Sequence, residues 1–393
     1  MHSLDEFATA KLGELQRASL RRALIDTTRT PGIWVLRKGR RLLSFCCNDY
    51  LNLTHHPVVK EAAIAALRTY GVGAGSSRLV SGNHPLLGEL EARLARLKEA
   101  DAACVFGSGY LANLGIIPAL VGPGDLLLID ELAHACLWAG ARLSRAAVVP
   151  FRHGDVRHAQ ALLTELRQHH RHALMATDGV FSMDGDIAPL HALAALAQRH
   201  DAWLMSDDAH GVGVVGGGRG SNFVQPIKAD VPLQMGTLSK ALGAYGGYLC
   251  ASAAVVDLIR NRARPAVYST ALPPAMAAAA IASLDVIESE PRYAALPLAK
   301  AKTFARCAGL PEPASPIVPV LLGEPDAALK ASRLLENEGY LVVAIRPPTV
   351  PKHTARLRLT FTAQHPDREV ERLAELVRTR ILALAPATAA EAQ

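Results

Sequence analysis

The apolar positions near the start of the chain recur with a helical step. Leu4, Phe7, Leu12, Leu15 and Leu20 lie at roughly helical spacing, with Arg17, Arg21 and Arg22 among them. This predicts an amphipathic helix to about residue 30. Pro31-Gly32 stops it, and Ile33 to Phe45 reads as a hairpin turning at Lys38-Gly39. Pro57 opens a helix through Tyr70; proline suits a first helical turn, where its missing N–H has no partner to lose. A flexible loop from Gly71 to Arg78 follows. A second helix runs from about Pro85 to Lys98, with Leu86, Leu90, Leu94 and Leu97 along it.

From Ala102 the pattern becomes short apolar runs alternating with amphipathic ones. Strands are expected at 102–106, 125–130, 174–177 and 202–206, and a further one over Val231–Met235. Helices are expected from Tyr110 towards Pro118, then at about 132–144, 156–167 and 189–200. Repeated strand–helix–strand units imply a mostly parallel sheet covered on both faces. An alanine-rich helix follows Pro273-Pro274 and runs to about Glu290. Beyond it, strands at 317–322, 340–345 and 356–361 and helices at 325–337 and 366–383 read as a smaller α+β domain. The tail after Pro386 reads as frayed. The expected organisation is an N-terminal helix and hairpin segment over 1–47, a large domain over 48–290 and a small domain over 291–393.

Composition narrows the function classes. Half of the 393 residues are hydrophobic, enough for a sizeable core, and the net charge is +6. No basic block with interleaved aromatics is present, which argues against nucleic acid as a partner. Six cysteines in a chain of this length, none with zinc-like spacing, fit a reducing compartment. The start, Met1-His2-Ser3-Leu4-Asp5-Glu6, has no apolar signal core, and no apolar run is long and clean enough to span a bilayer. A cytoplasmic protein without a membrane partner is expected.

The candidate chemistry centres on Gly236-Thr237-Leu238-Ser239-Lys240-Ala241-Leu242-Gly243. A lysine desolvated among small residues has a lowered pKa and forms a Schiff base with an aldehyde. Thr237 and Ser239 can donate to a phosphate beside that aldehyde, and the aldehyde that carries its own phosphate is pyridoxal 5'-phosphate (PLP). The motif alone leaves a solvated lysine in a glycine-rich loop as an equal alternative. Asp207, at the end of the 202–206 strand, is a carboxylate suited to keep a pyridine nitrogen protonated. His210 can reach a phenolic oxygen. Taken alone, a helix cap and a loop histidine explain these two residues as well. Gly107-Ser108-Gly109-Tyr110 leads from a strand into a helix and offers backbone N–H groups to an anion, or is a plain turn. His134 follows a strand end, where it can stack on a flat ring or be an ordinary histidine. Ser182, in another strand-end turn, can hydrogen-bond a cofactor or serve the turn itself.

A rival reading takes Gly107-Ser-Gly109-Tyr-Leu-Ala112 as a dinucleotide fingerprint of an oxidoreductase, with Asp130 about 20 residues on. It explains neither Asp207 nor the Thr237–Lys240 run.

In combination, Asn48-Asp49-Tyr50-Leu51, Gly107–Tyr110, His134-Ala135, Val180–Asp186, Asp207–Gly211 and Thr237–Lys240 closely resemble the α-oxoamine synthase family. The similarity runs from about Leu20 to about Leu376. It implies a fold-type I PLP-dependent transferase, α/β, with a mostly parallel seven-stranded sheet and a smaller C-terminal α+β domain. It implies that Lys240 holds PLP and later removes the α-proton, that Asp207 pairs with the ring nitrogen and that His134 stacks on the ring. Ser182 and His210 would bond the ring-oxygen region. Gly109, Tyr110 and Thr237 would serve the phosphate, with Ser269 or Thr270 reaching across a homodimer interface. Arg346 would hold the amino-acid carboxylate, with Arg21, Asn48, His134 and Thr349 along the substrate path. Arg346–Pro351 and Tyr268–Pro274 are similar to the members that condense L-alanine with a pimeloyl thioester, on coenzyme A or acyl carrier protein, in biotin synthesis. Members that use glycine are the alternative. Cys46-Cys47 and Asn52 depart from the family's usual small hydroxyl residues and glycine.

Overall fold

The structure, a computed structural model, describes residues 2–17 and 20–385. The tail expected to fray lies outside the described residues. The chain divides into two compact units. One comprises Asn48–Ala299 with Ala314–Pro316; the other, over its described residues, comprises Met1–Cys47, Lys300–Pro313 and Ile317–Gln393. The segment up to residue 47 therefore does not stand apart. Its strand Arg40–Ser44 pairs in parallel with Tyr340–Leu341, so it shares a sheet with the C-terminal part. The division falls at Lys300, inside the helix Pro291–Ala308, and not at residue 291.

The larger unit is built on a seven-stranded sheet. Its order is Ala102–Phe106, Gly247–Ala251, Leu233–Thr237, Trp203–Asp207, Ala173–Asp178, Leu126–Asp130, Ala147–Phe151. Gly247–Ala251 is antiparallel to both its neighbours, and the remaining pairs are parallel. Alternate side chains leave a strand on opposite faces. Leu127, Ile129, Leu174 and Ala176 pack with Ile116, Leu137 and Ile259 in one helical layer. Leu126, Leu128, Ala173 and Met175 pack with Leu163, Leu193 and Leu196 in the other. Each such aliphatic side chain, fully buried, contributes roughly 1.5–3 kcal/mol. Two strands escaped the sequence reading. Ala147–Phe151 is a half-exposed edge strand that tolerates Pro150, and Gly247–Ala251 opens on glycines that read as loop.

The smaller unit holds a sheet of order Thr27–Arg29, Trp34–Arg37, Arg40–Ser44, Tyr340–Leu341 and another of order Ile317–Gly323, Ala355–Thr360, Val343–Ile345. The expected hairpin is present; Lys38 and Gly39 both take positive φ at its turn (50° and 73°), which suits the twist of the flanking strands. The expected helix to residue 30 ends at Arg17, and Thr27–Arg29 is a strand instead. The helix buries no residue, whereas the β-branched Thr27 and Thr28 pair with Arg37 and Leu36. The expected strand 340–345 is two pieces, one in each sheet. The expected helix 366–383 is α-helical only over Asp367–Leu376, then widens and tightens in turn over Val377–Ile381 and Leu382–Leu384. Phe45, Phe304, Tyr340 and Phe361 centre the core of this unit.

Candidate active site

Parallel strands bring their carboxyl ends to one edge of the sheet, where ligands of open α/β folds gather. A cavity of about 250 Å³ opens there in the larger unit. Gly109, Tyr110, His134, Asp207, His210, Thr237 and Lys240 line it together, joined by Cys136 and Asp178. These residues come from five separate strand ends, so the sheet assembles them.

Strand Leu233–Thr237 delivers the lysine loop. Gly246 O accepts from Thr237 Oγ1 at 2.8 Å, Ser239 Oγ at 3.2 Å and Leu238 N at 3.0 Å, which closes the loop on itself. The hydroxyls expected to face a phosphate thus bond Gly246. Lys240 Nζ lies 2.8 Å from His210 Nε2, and His210 Nδ1 lies 2.7 Å from the Tyr50 hydroxyl.

Asp207 is buried. Its carboxylate accepts from Asn113 Nδ2 at 2.7 Å and from Ala209 N at 3.0 Å. Asp178 stands beside it in register on the neighbouring strand and accepts from His134 N at 3.0 Å. Burial, then the Asp207 charge, pushes the Asp178 carboxyl well above the usual carboxylate range. His134 caps the helix Ala135–Ser144, its Nδ1 accepting from Cys136 N at 3.2 Å. Burial of the ring lowers its pKa; the Asp207 charge opposes this and Lys240 adds to it. A neutral imidazole with Nδ1 as acceptor carries its proton on Nε2.

The anion cradle is the start of the helix Gly109–Leu120, capped by Ser108, whose Oγ accepts from Leu111 N at 3.2 Å. Strand Gly247–Ala251 runs against it so closely that a Cβ on Gly247 would lie 2.6 Å from Gly109 N. Free N–H groups at the start of a helix attract a phosphate. With this cradle, a cavity-lining lysine, a buried carboxylate and a flat histidine face in one cavity, the residues fit PLP.

Ser182 is buried in the turn after Ala173–Asp178 and is not among the cavity's lining residues. Asn48 does not line it either; its Oδ1 lies 3.4 Å from the Tyr50 hydroxyl. Arg21, Arg346 and Thr349 line a cavity of about 410 Å³ within the smaller unit, with Arg22, Arg37 and Glu336. Arg22 Nη2 donates to Thr349 Oγ1 at 3.1 Å.

Sequence reasoning missed Asn113, Cys136, Asp178 and the contact of Tyr50 with His210. Asn113 had a signal, being a lone amide in the otherwise apolar helix GYLANLGIIPAL. Asp178 ended a strand, as Asp207 does. The dinucleotide reading of Gly107–Ala112 fails on topology. Ala102–Phe106 is at one edge of the sheet and Leu126–Asp130 is separated from it by four strands, so no βαβ unit joins them side by side. Asp130 is also taken, by His153 Nδ1 at 3.1 Å, Leu132 N at 2.9 Å and Gly154 N at 2.9 Å.

Comparison with known proteins agrees with this geometry. Residues 40–377 match the family model for aminotransferase class I and II. The chain is 66% identical over 344 residues to an 8-amino-7-oxononanoate synthase of Methylocella silvestris, covering 88% of this chain and 98% of that protein. In three dimensions it is similar to S. paucimobilis serine palmitoyltransferase with a bound PLP–myriocin aldimine, at a TM-score of 0.88 and 27% identity over 98% and 99% of the two chains. It is likewise similar to the 8-amino-7-oxononanoate synthase of Francisella tularensis, at a TM-score of 0.74 and 25% identity over 86% and 98%. Strand order, lysine loop and near-full-length identity converge: the chain belongs to the 8-amino-7-oxononanoate synthase family, acyltransferases within the PLP-dependent aminotransferase class I and II fold.

Proposed function

We propose that the chain condenses L-alanine with a pimeloyl thioester, giving 8-amino-7-oxononanoate, carbon dioxide and the free thiol, in biotin synthesis. The observation that carries this reading is the Lys240 amine, held by His210 in the same cavity as Asp207 and His134. Bound there, PLP supplies an electron sink that stabilises negative charge at the α-carbon of the amino acid.

The chain's own residues do the rest. Lys240 would anchor the cofactor, and its amine would take the α-proton of the amino acid and later return one. Asp207 would hold the ring nitrogen and keep its proton in place. Asn113 and the Ala209 N–H hold that carboxylate by hydrogen bonds. His134 would stack on the ring. Gly109, Tyr110 and Thr237 serve the phosphate, and His210 and Ser182 the ring-oxygen region. Arg346 holds the alanine carboxylate, and Arg21, Asn48 and Thr349 line the acyl path. The carrier is coenzyme A or acyl carrier protein.

The working form is a cytoplasmic homodimer. Among the described residues no helix is long and apolar enough to cross a membrane. The larger unit exposes Val72 (81%), Val80 (78%) and Tyr268 (71%), apolar side chains suited to cover by a second copy.

The experiment is the visible absorption spectrum of the PLP-loaded protein, before and after L-alanine and, separately, glycine. A band that responds more strongly to alanine supports the reading. A band that responds only to glycine overturns the alanine assignment, and the absence of any band overturns the anchoring role of Lys240.

A further inference from the structure

The helix Ala135–Ser144 starts on a residue that is held from outside the helix. The first N–H groups of a helix have no partner within it. A capping box supplies one for the N-cap: a glutamate or glutamine three residues on accepts from the N-cap N–H. Here the N-cap is His134, and the residue three on is Leu137, whose side chain has no acceptor. The acceptor comes from another strand instead. Asp178, buried at the end of Ala173–Asp178 and in register with Asp207, takes the His134 N–H on Oδ1 at 3.0 Å. The ring of the same histidine is held as well, its Nδ1 accepting from Cys136 N at 3.2 Å. One bond fixes the backbone of His134 and the other its imidazole, and both His134 and Asp178 line the cavity of Lys240. With the ring bond alone, His134 and the first helical turn would move as one piece.

We propose that Asp178 is a positioning residue for His134: it supplies, from a neighbouring strand end, the acceptor that the helix lacks, and so fixes the plane of the imidazole in the cavity. What matters is the acceptor oxygen and not the charge. A carboxyl oxygen accepts in either protonation state, because the proton of the neutral form sits on the other oxygen. Burial disfavours the charged form of Asp178 and leaves this contact in place. The consequence for the cofactor rests on the reading that His134 lies against its ring; the hold on His134 does not.

Two measurements test it. The first is hydrogen exchange of the His134 amide in cofactor-free protein labelled with 15N-histidine. A protected amide is expected, with protection kept in Asp178→Asn and lost in Asp178→Ala. An amide that exchanges at the unprotected rate in the wild type overturns the proposal without any variant and leaves the functional reading untouched. The second is circular dichroism of the cofactor's visible band at saturating PLP. PLP is not chiral, so this signal comes from the asymmetric contacts of its ring. Asp178→Ala is expected to reduce the signal per bound cofactor and to weaken PLP binding about three- to tenfold, the loss of one buried hydrogen bond. Asp178→Asn should restore both. An alanine variant with a lower melting temperature but unchanged signal and affinity would show a merely structural role and sink the idea. A wild type that takes up no PLP would overturn the functional reading and leave the amide measurement to decide this one.

Discussion

Asp208, the residue after the cavity-lining Asp207, forms an ion pair with Lys98 at 2.8 Å, with both side chains out of solvent. Lys98 Nζ also donates to Arg219 O at 2.7 Å, and Asp208 accepts from Ser221 N at 3.0 Å. The backbone is shaped around the carboxylate: a Cβ on Gly220, where φ is +106°, would lie 1.7 Å from Asp208 Oδ2. Removing one partner of such a pair strands the other charge in the interior. Lys98→Met is therefore expected to cost about 3–5 kcal/mol, read by urea unfolding. Lys98→Met combined with Asp208→Leu should recover part of that loss. A single variant as stable as wild type would contradict the geometry.

The two carboxylates in register, Asp178 and Asp207, are expected to answer differently to the same change. Burial already disfavours the charged form of Asp178, and Asp178→Asn removes that charge while keeping the acceptor for His134 N. Its stability should stay within about 0.5 kcal/mol of wild type and its PLP affinity should hold. Asp207→Asn removes the charge proposed to face the ring nitrogen, and turnover should fall by roughly two orders of magnitude or more. Steady-state rates and thermal unfolding of both variants check the contrast.

Gly247 is where the antiparallel strand meets the start of the phosphate helix. An alanine there would bring its Cβ within 2.6 Å of Gly109 N and of the Ser108 backbone. Backbone must shift, and the N–H groups of the cradle shift with it. Gly247→Ala should weaken PLP binding about tenfold or more, a loss of about 1.4 kcal/mol, measured by titrating the cofactor into the stripped protein.

His153 bridges two carboxylates, Asp130 at 3.1 Å and Asp186 at 3.0 Å. The hydrogen bonds to Asp130 and then Asp186 raise its pKa from the ordinary 6.5 to about 10, against the effect of burial. A raised folded pKa contributes stability that is complete below about pH 6.5 and is lost as pH rises through about 10. His153→Gln should therefore cost about 2 kcal/mol at pH 7, with the gap to wild type closing above pH 10. His365 runs the other way. Buried between Thr362 N (2.8 Å) and Ser44 O (2.9 Å), it has its pKa lowered to about 4, so its contribution is present above pH 6.5 and is lost as pH falls through about 4. Unfolding free energies measured across pH distinguish the two histidines.

Local pattern by itself determined the alternating strands and helices from Ala102 onward, because an apolar run with period two and a helix face with period near four are properties of neighbouring residues. It also carried Lys240, Asp207, His134, His210 and Gly109, each of which sits at a strand end where punctuation by glycine or a polar turn is visible in the chain. What it did not determine was adjacency. That Asp178 stands in register with Asp207, that Asn113 reaches that carboxylate from 94 positions away, and that Tyr50 closes on His210 across 160 positions follow only from strand order and helix packing. The same holds for Gly247–Ala251, whose strand state comes from two partners and not from its own residues. Hydrogen bonds and ion pairs act over a few ångströms of space, and the separation of their partners along the chain leaves no local periodicity to read.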